Sequence, residues 1–458
     1  MNLNKTFRAL ALLVLSPATA FATNGMNLEG YGPVATAMGG ASFAYQNGAG
    51  AMMNNPATLG LMPQGRGIGV ALGFLGPDVS AASTKSGGDT YFMPAFGYVA
   101  KTGKLTYGLG VYSQGGMGTE YSTHSPLALN TGEGVRSEVG VGRMILPLVY
   151  NVNDQLTIGG SLDWVWVTMD LKMAATTDQF AAMFTGTAAG PVGPMMAAMG
   201  GLMGSGTNRF RIDFSDTNDY SGEAFGSGFA GKIGIVYKHN DALTMGATYH
   251  SKTRLGDLKT GNGGAKFSAY SNTGTMIPGT TMTGKVTVHN FQWPETYGFG
   301  VAYRVNSQWM LAADYKRLNW ADVMRDFKMT FAPNGIADSG DFTINQNWKN
   351  QNVFMVGAAY RMNDRLTLRF GGNFAGNPVP DNRVNPMFPA TVKDHYTCGF
   401  GYVLSRQSGI DFSMTYAPKV KVTGSQPLSG DMGSGAPSNG ITIAHGQLNA
   451  QLQYGYYF

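Results

Sequence analysis

The sequence NAQLQYGYYF, residues 449–458, alternates between two kinds of side chain. Ala450, Leu452, Tyr454, Tyr456 and Phe458 are apolar or aromatic, and most positions between them are polar. Successive side chains of a strand point to opposite faces, so this stretch has one apolar face and one polar face. That arrangement is typical of a bacterial outer-membrane β-barrel, in which lipid covers one face and the lumen the other. By itself, the stretch also fits a two-sided strand of a soluble protein.

Residues 1–22 have the pattern of a secretory signal peptide. Lys5 and Arg8 provide a basic start, residues 9–15 an apolar core, and Ala20-Phe21-Ala22 a cleavage site of small residues. We expect cleavage after Ala22 or after Ala20. The single cysteine of this exported chain, Cys398, cannot form an internal disulfide. We interpret it as a small residue packed in a barrel wall, where closure of the sheet supplies the stability.

The composition favours a wall of strands over membrane-spanning helices. Charged residues make up 13% of the chain and aromatic residues 12%, and there are 66 glycines. A transmembrane helix needs about twenty consecutive apolar residues. The nearest candidate, residues 180–203, is interrupted by Pro191 and Pro194. No cluster of lysine and arginine residues follows the signal peptide, which excludes nucleic acid as a partner.

Segments with a period of two predict an all-β, transmembrane antiparallel β-barrel of about fourteen strands. Tight turns of Asn, Asp, Gly and Ser, such as Val152-Asn153-Asp154, alternate with long links such as residues 174–222 and 321–350. Outer-membrane barrels combine short periplasmic turns with longer external loops in this way. We therefore predict one barrel domain over residues 65–458, located in the outer membrane of a Gram-negative cell, with both termini in the periplasm.

Residues 23–64 precede the first predicted strand and do not alternate. They are rich in Gly and Ala and contain the run Asn54-Asn55-Pro56-Ala57. A disordered leader is one interpretation of such a composition. However, the segment has few charges, and its aromatic and methionine side chains prefer burial. These side chains are Tyr31, Met38, Phe43, Tyr45, Met52 and Met53. The barrel lumen can bury them, so we predict an N-terminal hatch, or plug, inside it.

The chain resembles the FadL family of outer-membrane transporters for hydrophobic compounds, also called the OmpP1/FadL/TodX type. The resemblance rests on the small-residue segment ending in Asn55-Pro56-Ala57, on the strand pattern after it, and on the aromatic last strand. Met38-Gly39-Gly40-Ala41 is similar to the branch that includes toluene-type channels. The resemblance implies a barrel plugged by the hatch, external loops that capture ligand, and release sideways through the wall. It also implies transport of long-chain fatty acids or aromatic hydrocarbons.

The long link after the fifth predicted strand is a candidate for ligand capture. Methionine suits adaptable binding surfaces, and an exposed apolar patch usually marks an interaction site. The alternative is a loop that merely seals the top of the barrel. The candidate residues are Phe180, Met183, Phe184, Met195, Met196, Met199, Leu202 and Met203.

A fatty-acid carboxylate requires a cation that faces the lumen. Lys316 is the first candidate, because it shares its strand face with Asp314 and Met310. Arg143 and Lys172 are weaker candidates, and the family resemblance implies a basic residue near the position of Lys172. The alternative for each is an ordinary ion pair, such as Lys316 with Asp314.

Two further features bear on release of the ligand. Gly115, Gly116 and Gly118 follow the third predicted strand and favour a kink or bulge, although an ordinary glycine-rich loop fits as well. The family resemblance implies that a kink here opens a lateral gap. In the hatch, Pro56 fixes its own φ angle, so this rigid turn is either an element that ligand displaces or a static part of the plug.

Other functions have less support. The six histidines are scattered without metal-type spacing, and the glycine-rich run 226–232 lacks the helix that a nucleotide site needs. We therefore expect no enzyme, no cofactor and no metal. A general aqueous porin is the second hypothesis, and a structural adhesin remains compatible with the loops. The expected partners are a hydrophobic small molecule and outer-membrane lipid, with the protein as a monomer.

Overall fold

The computed structural model describes residues 24–188, 201, 208–214, 223–424 and 440–458. The predicted signal peptide lies outside these residues. Two α-helices lie in the described ranges 24–188 and 208–458 apart from their gaps: α1, Pro33–Ala37, and α2, Thr177–Met183. Short 3-10 helices lie at Gly48–Met52, Pro56–Leu61, Pro126–Ala128, Trp320–Asp322 and Asp381–Arg383. Within the described ranges, no helix combines the length and the apolar character needed to cross a bilayer.

Most described residues belong to one antiparallel sheet. Its strands are β1 Gly65–Ala81, β2 Thr84–Lys85, β3 Tyr91–Thr102, β4 Leu105–Tyr121, β5 Val135–Asn151, β6 Leu156–Thr176, β7 Phe184–Thr187, β8 Arg209–Asp213, β9 Ala224–Lys238, β10 Leu243–His250, β11 Arg254–Leu255, β12 Leu258–Lys259, β13 Ala265–Tyr270, β14 Met282–His289, β15 Thr296–Arg304, β16 Trp309–Leu318, β17 Asp326–Pro333, β18 Gly340–Asn345, β19 Gln351–Arg361, β20 Leu366–Ala375, β21 Asp394–Val403, β22 Ser408–Thr423 and β23 Thr442–Tyr457.

The sheet closes on itself, which makes it a barrel. The strand β23 pairs with β1 from Ala81↔Ile443 to Gly67↔Tyr457. Successive pairings run round the ring in the order β1, β3, β4, β5, β6, β9, β10, β15, β16, β19, β20, β21, β22, β23. Closure leaves no edge along the fully paired strands, so their backbone groups are satisfied within the sheet.

The predicted count of about fourteen strands was wrong for the sheet, because the sheet of described residues has 23 strands and the ring of successive pairings passes through only fourteen of them. The long links, which the sequence analysis treated as loops, hold strands of their own. For example, β14 pairs with β17, and β17 pairs with β18. In β17, Phe327, Met329 and Phe331 alternate with more exposed positions. Alternation therefore indicates a strand whether or not that strand is long enough to cross lipid.

Along the wall strands, outward-facing apolar side chains alternate with inward-facing polar ones, as the sequence of residues 449–458 predicts. In β23, Leu452 and Tyr454 are exposed on the outside, whereas Asn449 and Gln451 are buried on the inside.

The short turns at one end of the barrel have a local cause. The side-chain oxygens of Asn153, Asn240, Asn306 and Asn363 each accept two backbone N–H groups a few residues on. We call this end the short-turn end and the opposite end the long-link end.

Residues 24–64, the N-terminal segment, contact strands at several points round the ring. Nearly all of these residues are buried, and α1 packs against β20, β21 and β22. Glycines of the wall allow the close approach. A Cβ atom added at Gly371 would lie 2.1 Å from the backbone nitrogen of Gly39, and one added at Gly234 would lie 1.9 Å from Oδ1 of Asn55. The wall is therefore shaped to this segment at specific positions.

Candidate functional site

The Asn55-Pro56-Ala57 motif begins the 3-10 helix Pro56–Leu61. The side chain of Asn55 accepts a hydrogen bond from the backbone N–H of Ala57 (3.1 Å), and its Nδ2 donates to the backbone oxygen of Phe43 (2.7 Å). Asn55 Nδ2 also lies 3.3 Å from the backbone oxygen of Ile235 in β9. This residue thus caps a local turn and ties it to the wall.

Polar side chains of the wall bind the N-terminal segment at several points round the ring. The carboxylate of Asp314 accepts the backbone N–H groups of Ser42 (2.6 Å) and Phe43 (2.9 Å). On another side of the lumen, Thr415 donates to Glu29 (2.6 Å). Carboxylates that accept backbone N–H groups form strong, charge-assisted hydrogen bonds. The segment is therefore held by directional contacts as well as by burial.

Gln114 lies at an irregularity in β4, beside the glycines that the sequence analysis selected. The β4–β5 register shifts between Ser113 and Gly115, so Gln114 is an extra residue in the strand. The N-terminal segment meets this bulge, because Tyr31 donates its hydroxyl hydrogen to the backbone oxygen of Gln114 (2.7 Å). The N–H of Gly116 donates to the backbone oxygen of Met26 (3.0 Å). Burial raises the pKa of Tyr31 well above its ordinary value, so this donor stays neutral.

Beyond the bulge, β3 and β4 separate. Their pairing ends at Ala95↔Tyr112, although β1 continues to pair with β3 as far as Tyr91. The β3 residues 91–94 therefore lack a ladder partner on the β4 side. A small cavity lies next to this opening, and its lining includes Gly25 together with Gly116, Met117 and Gly118. Gly116 and Gly118 of the predicted kink thus face a space between the N-terminal segment and an interrupted part of the wall.

Arg143 is part of a buried ion network behind the bulge. Its Nη1 lies 2.7 Å from Oδ2 of Asp163, and its Nε donates to the side-chain oxygen of Gln114. Lys232 also binds Oδ2 of Asp163, and Ser161 donates to Oδ1 (2.6 Å). Arg143 therefore forms the kind of ion pair that the sequence analysis gave as the alternative to head-group binding.

Lys316 is in a different situation. It is 7% exposed on the inner face of β16 and forms no hydrogen bond or ion pair with any described residue. Asp314 does not bind it, since Oδ2 of that carboxylate is directed to Ser42 and Phe43. Glu29 and Asp314 supply opposing charge from a distance. Lys172 lies on β6 opposite Arg136 and is partly exposed. The expected Lys316–Asp314 pair is thus absent from the described residues.

The described part of the capture link forms an aromatic cluster. Phe180 and Met183 are fully buried in α2, which begins with a capping box formed by Thr176 and Gln179. The ring of Phe180 stacks on that of Phe210, with centroids 4.5 Å apart. It also contacts the rings of Phe184, Phe267 and Phe342. Only Phe184 among the described candidates is partly exposed. Met195, Met196, Met199, Leu202 and Met203 lie outside the described residues.

Three tryptophans that the sequence analysis did not select meet beside the start of the N-terminal segment. Trp320 packs edge-on against both Trp293 and Trp348, with ring centroids 5.4 Å apart in each pair. Trp293 donates its indole N–H to Oδ1 of Asn27 (3.1 Å). A Cβ atom added at Gly25 would lie 2.7 Å from the indole nitrogen of Trp320. These residues come from separate links, so no local sequence pattern could have joined them.

Comparison with known proteins identifies the family. The family model described as outer membrane protein transport protein (OMPP1/FadL/TodX) matches residues 10–458. The chain belongs to this family. As an OMPP1/FadL/TodX protein with a closed β-barrel, it is located in the outer membrane.

Solved structures of this family resemble the whole barrel. The chain is 28% identical to the Pseudomonas putida toluene transporter TodX, with 94% of this chain and 99% of TodX covered and a TM-score of 0.81. It is 29% identical to the Ralstonia pickettii toluene transporter TbuX, with 94% and 99% covered and a TM-score of 0.75.

A curated relative matches a shorter stretch. The Chlorobium limicola protein described as "Uncharacterized protein in phosphoenolpyruvate carboxykinase gene 5'region" is 61% identical over 74 residues. That match covers 16% of this chain and 36% of the relative's length.

Proposed function

We propose that this protein is a passive channel that takes up long-chain fatty acids or similar hydrophobic compounds and releases them sideways through its wall. The observation that carries the proposal is the opening between β3 and β4 beside the buried N-terminal segment. A water-filled pore does not help a molecule that partitions out of water. Such a molecule is instead helped by a path that leads from an apolar site directly into lipid.

The N-terminal segment acts as the plug in this proposal. Its support is the burial of residues 24–64 and the hydrogen bonds to wall residues such as Asp314, Thr415 and Gln114. Since a filled lumen leaves no wide axial path for cargo, the side opening becomes the exit. A filled lumen also disfavours the aqueous porin, which needs a hydrated passage along the barrel axis.

The release route runs past Gly25, Gly116, Met117 and Gly118, which line the cavity beside the opening. Three of these four residues lack side chains, so they leave space next to the wall. Beyond them, β3 residues 91–94 have no ladder partner on β4, and Phe92 among them is 58% exposed. Cargo that reaches the cavity therefore has a short path to the membrane.

Ligand capture at the long-link end involves the residues after β6. Phe180 and Met183 anchor this link in the aromatic cluster, because both are fully buried. Phe184, which is partly exposed, then serves as a contact for ligand. We propose the same role for Met195, Met196, Met199, Leu202 and Met203. Their methionine-rich composition suits ligands of varied shape.

Aromatic hydrocarbons are the second candidate cargo. Two observations favour them: the 28–29% identity to the toluene transporters TodX and TbuX, and the cluster of Trp293, Trp320 and Trp348 beside the N-terminal segment. Lys316 favours a carboxylate instead, since it is a buried cation with no bound partner among the described residues. Mass spectrometry of small molecules retained by protein purified in mild detergent distinguishes the two cargo classes.

Transport is tested with the full-length protein in lipid bilayers. We expect uptake of a fluorescent long-chain fatty acid into proteoliposomes to exceed that of empty vesicles. In planar bilayers, the same preparation is expected to give no steady ion current. A steady current with no preference for hydrophobic solutes contradicts the proposal and supports the porin. No catalytic role is proposed for any residue.

A further inference from the structure

A groove of about 560 Å³ lies on the outer surface of the barrel, away from the proposed route. Its apolar floor includes Leu162 and Phe229, each 57% exposed, which identifies the outward, lipid-facing side of β6 and β9. Gly231, which pairs with Leu162, leaves a recess between these two side chains because it has no side chain. A recess of this kind can hold part of a lipid chain.

The groove lies where the β9–β10 pairing is interrupted. Regular pairing ends at His250↔Lys232 and resumes at Arg254↔Phe229. Between these points, Ser251 is fixed to Gly231 by two hydrogen bonds: its N–H donates to the Gly231 oxygen (2.9 Å), and its Oγ accepts the Gly231 N–H (3.0 Å). The groove is therefore built by an ordered backbone towards the long-link end.

Two cations line the part of the groove that lies towards the long-link end. Lys252 and Arg254 are exposed, and neither forms an ion pair or side-chain hydrogen bond with a described residue. The nearby carboxylate of Glu295 is already engaged: Tyr249 donates to its Oε1 (2.6 Å) and Asn319 to its Oε2 (2.8 Å). Cations next to interfacial aromatic residues are suited to bind anionic lipid headgroups.

We propose that this groove binds a phosphorylated glycolipid of the lipid A type. Lys252 and Arg254 bind its phosphate, and an acyl chain occupies the recess at Gly231 between Leu162 and Phe229. The long-link end faces outwards in barrels of this kind, so the proposed glycolipid lies in the outer leaflet. Glu295 and the exposed Asp322, which also line the groove, oppose the phosphate charge, since the hydrogen bonds to Glu295 come from neutral groups.

The test uses the full-length protein, stripped of lipid in detergent and titrated in native mass spectrometry. The probes are bis-phosphorylated lipid A, dephosphorylated lipid A and phosphatidylglycerol. We expect bis-phosphorylated lipid A to bind at least tenfold more tightly than the other two. Equal binding of dephosphorylated lipid A overturns the phosphate site. Equal binding of phosphatidylglycerol contradicts the proposal that the bound lipid is a glycolipid.

Variants locate the site on the protein. The double variant Lys252→Ala/Arg254→Ala is expected to lose at least tenfold in lipid A affinity, and Asp322→Asn to gain affinity. The matched control Arg325→Ala/Lys349→Ala removes two exposed cations from another link and should bind normally. If the two double variants bind alike, the assignment is wrong.

A third variant tests the recess without changing any charge. A Cβ atom added at Gly231 meets only the Ser161 oxygen, at 3.3 Å, so a side chain fits there with slight adjustment. Gly231→Leu fills the recess, and we expect severalfold weaker binding of lipid A. Unchanged binding contradicts an acyl chain at this position.

Discussion

Lys316 and Asp314 show how two residues on one strand face acquire different roles. The sequence suggests that they pair, since both point into the lumen. In the structure, Oδ2 of Asp314 accepts two backbone N–H groups of the N-terminal segment, whereas Lys316 has no bound partner among the described residues. A buried, unpaired cation is unfavourable and gains most from a ligand that brings a negative charge.

Replacing Lys316 by Ala tests this role. A hydrogen bond to a charged group contributes roughly 1.5–3 kcal/mol, so we expect fatty-acid affinity to fall about tenfold or more. The methyl ester of the same acid carries no charge and should lose little. Tryptophan fluorescence titration in detergent measures both affinities. Equal losses for acid and ester contradict head-group recognition, and Lys349→Ala, on an exposed link, is the control.

The network of Asp163, Arg143 and Lys232 predicts a stability effect. Asp163→Asn leaves two buried cations without their carboxylate, and removing one partner of a buried ion pair costs about 3–5 kcal/mol. We expect the free energy of unfolding to fall by that amount in urea titrations in lipid vesicles. Asp154→Asn, in an exposed turn, should change it by less than about 0.5 kcal/mol. Similar values for the two variants rule out a stabilising role for the network.

At the scale of elements, β4 combines a bulge with a lost neighbour. Gln114 is bound from both sides, because Tyr31 contacts its backbone and Arg143 its side chain. The bulge therefore connects the N-terminal segment to the ion network of the wall. Beyond it, β4 keeps its pairing with β5 and loses its pairing with β3. The bulge thus adjoins the place where the wall opens.

A disulfide across the opening tests whether cargo leaves there. Pro94 and Ser113 are the first positions beyond the last β3–β4 pair. In a Cys398→Ser background, Pro94→Cys/Ser113→Cys should form a disulfide that draws the two edges together. We expect severalfold slower fatty-acid uptake after oxidation and recovery after reduction.

The control places a disulfide between strands that are already paired. Leu366→Cys/Tyr402→Cys joins β20 and β21 at an existing ladder position, so its oxidation should not affect uptake. If oxidation of the cysteine pair across the opening also leaves fatty-acid uptake unchanged, cargo does not leave through this opening.

The sequence predicts elements unevenly, for physical reasons. Tight turns such as the one at Asn153 are local, since the side chain binds backbone groups two and three residues away. Strands such as β17 were predicted as loops because alternation does not distinguish a strand that crosses lipid from one that lies beyond the membrane. The cluster of Trp293, Trp320 and Trp348 depends on links that meet only in the folded chain.

At the scale of the whole molecule, the barrel and its N-terminal segment fit each other. The sequence predicts the barrel from its alternation and the resemblance of its Asn55-Pro56-Ala57 motif, both of which are visible without a structure. It does not predict which wall residues hold the segment. Asp314 lies on β16 and Thr415 on β22, which are distant strands, so their convergence on one segment follows from closure of the ring.

Movement of the segment is testable as a property of the whole molecule. A Cβ atom added at Gly69 of β1 would lie 3.5 Å from the Cβ of Ala49, so cysteines at these positions are close enough to form a disulfide. In the Cys398→Ser background, oxidised Ala49→Cys/Gly69→Cys should lose at least tenfold in uptake if ligand displaces the segment. Reduction should restore transport. Unchanged uptake after oxidation contradicts a moving plug and supports a static one.

The seam between β1 and β23 has a consequence for biogenesis. It joins the first and last strands of the ring, which are made at opposite times during synthesis. Residues 24–64 precede β1 directly and contact strands on several sides, including Gln451 beside the seam. Once the β1–β23 pairing has formed, those residues can reach the proposed plug position only by threading through an open end of the barrel. A segment that is in position before the β1–β23 pairing forms avoids that threading step.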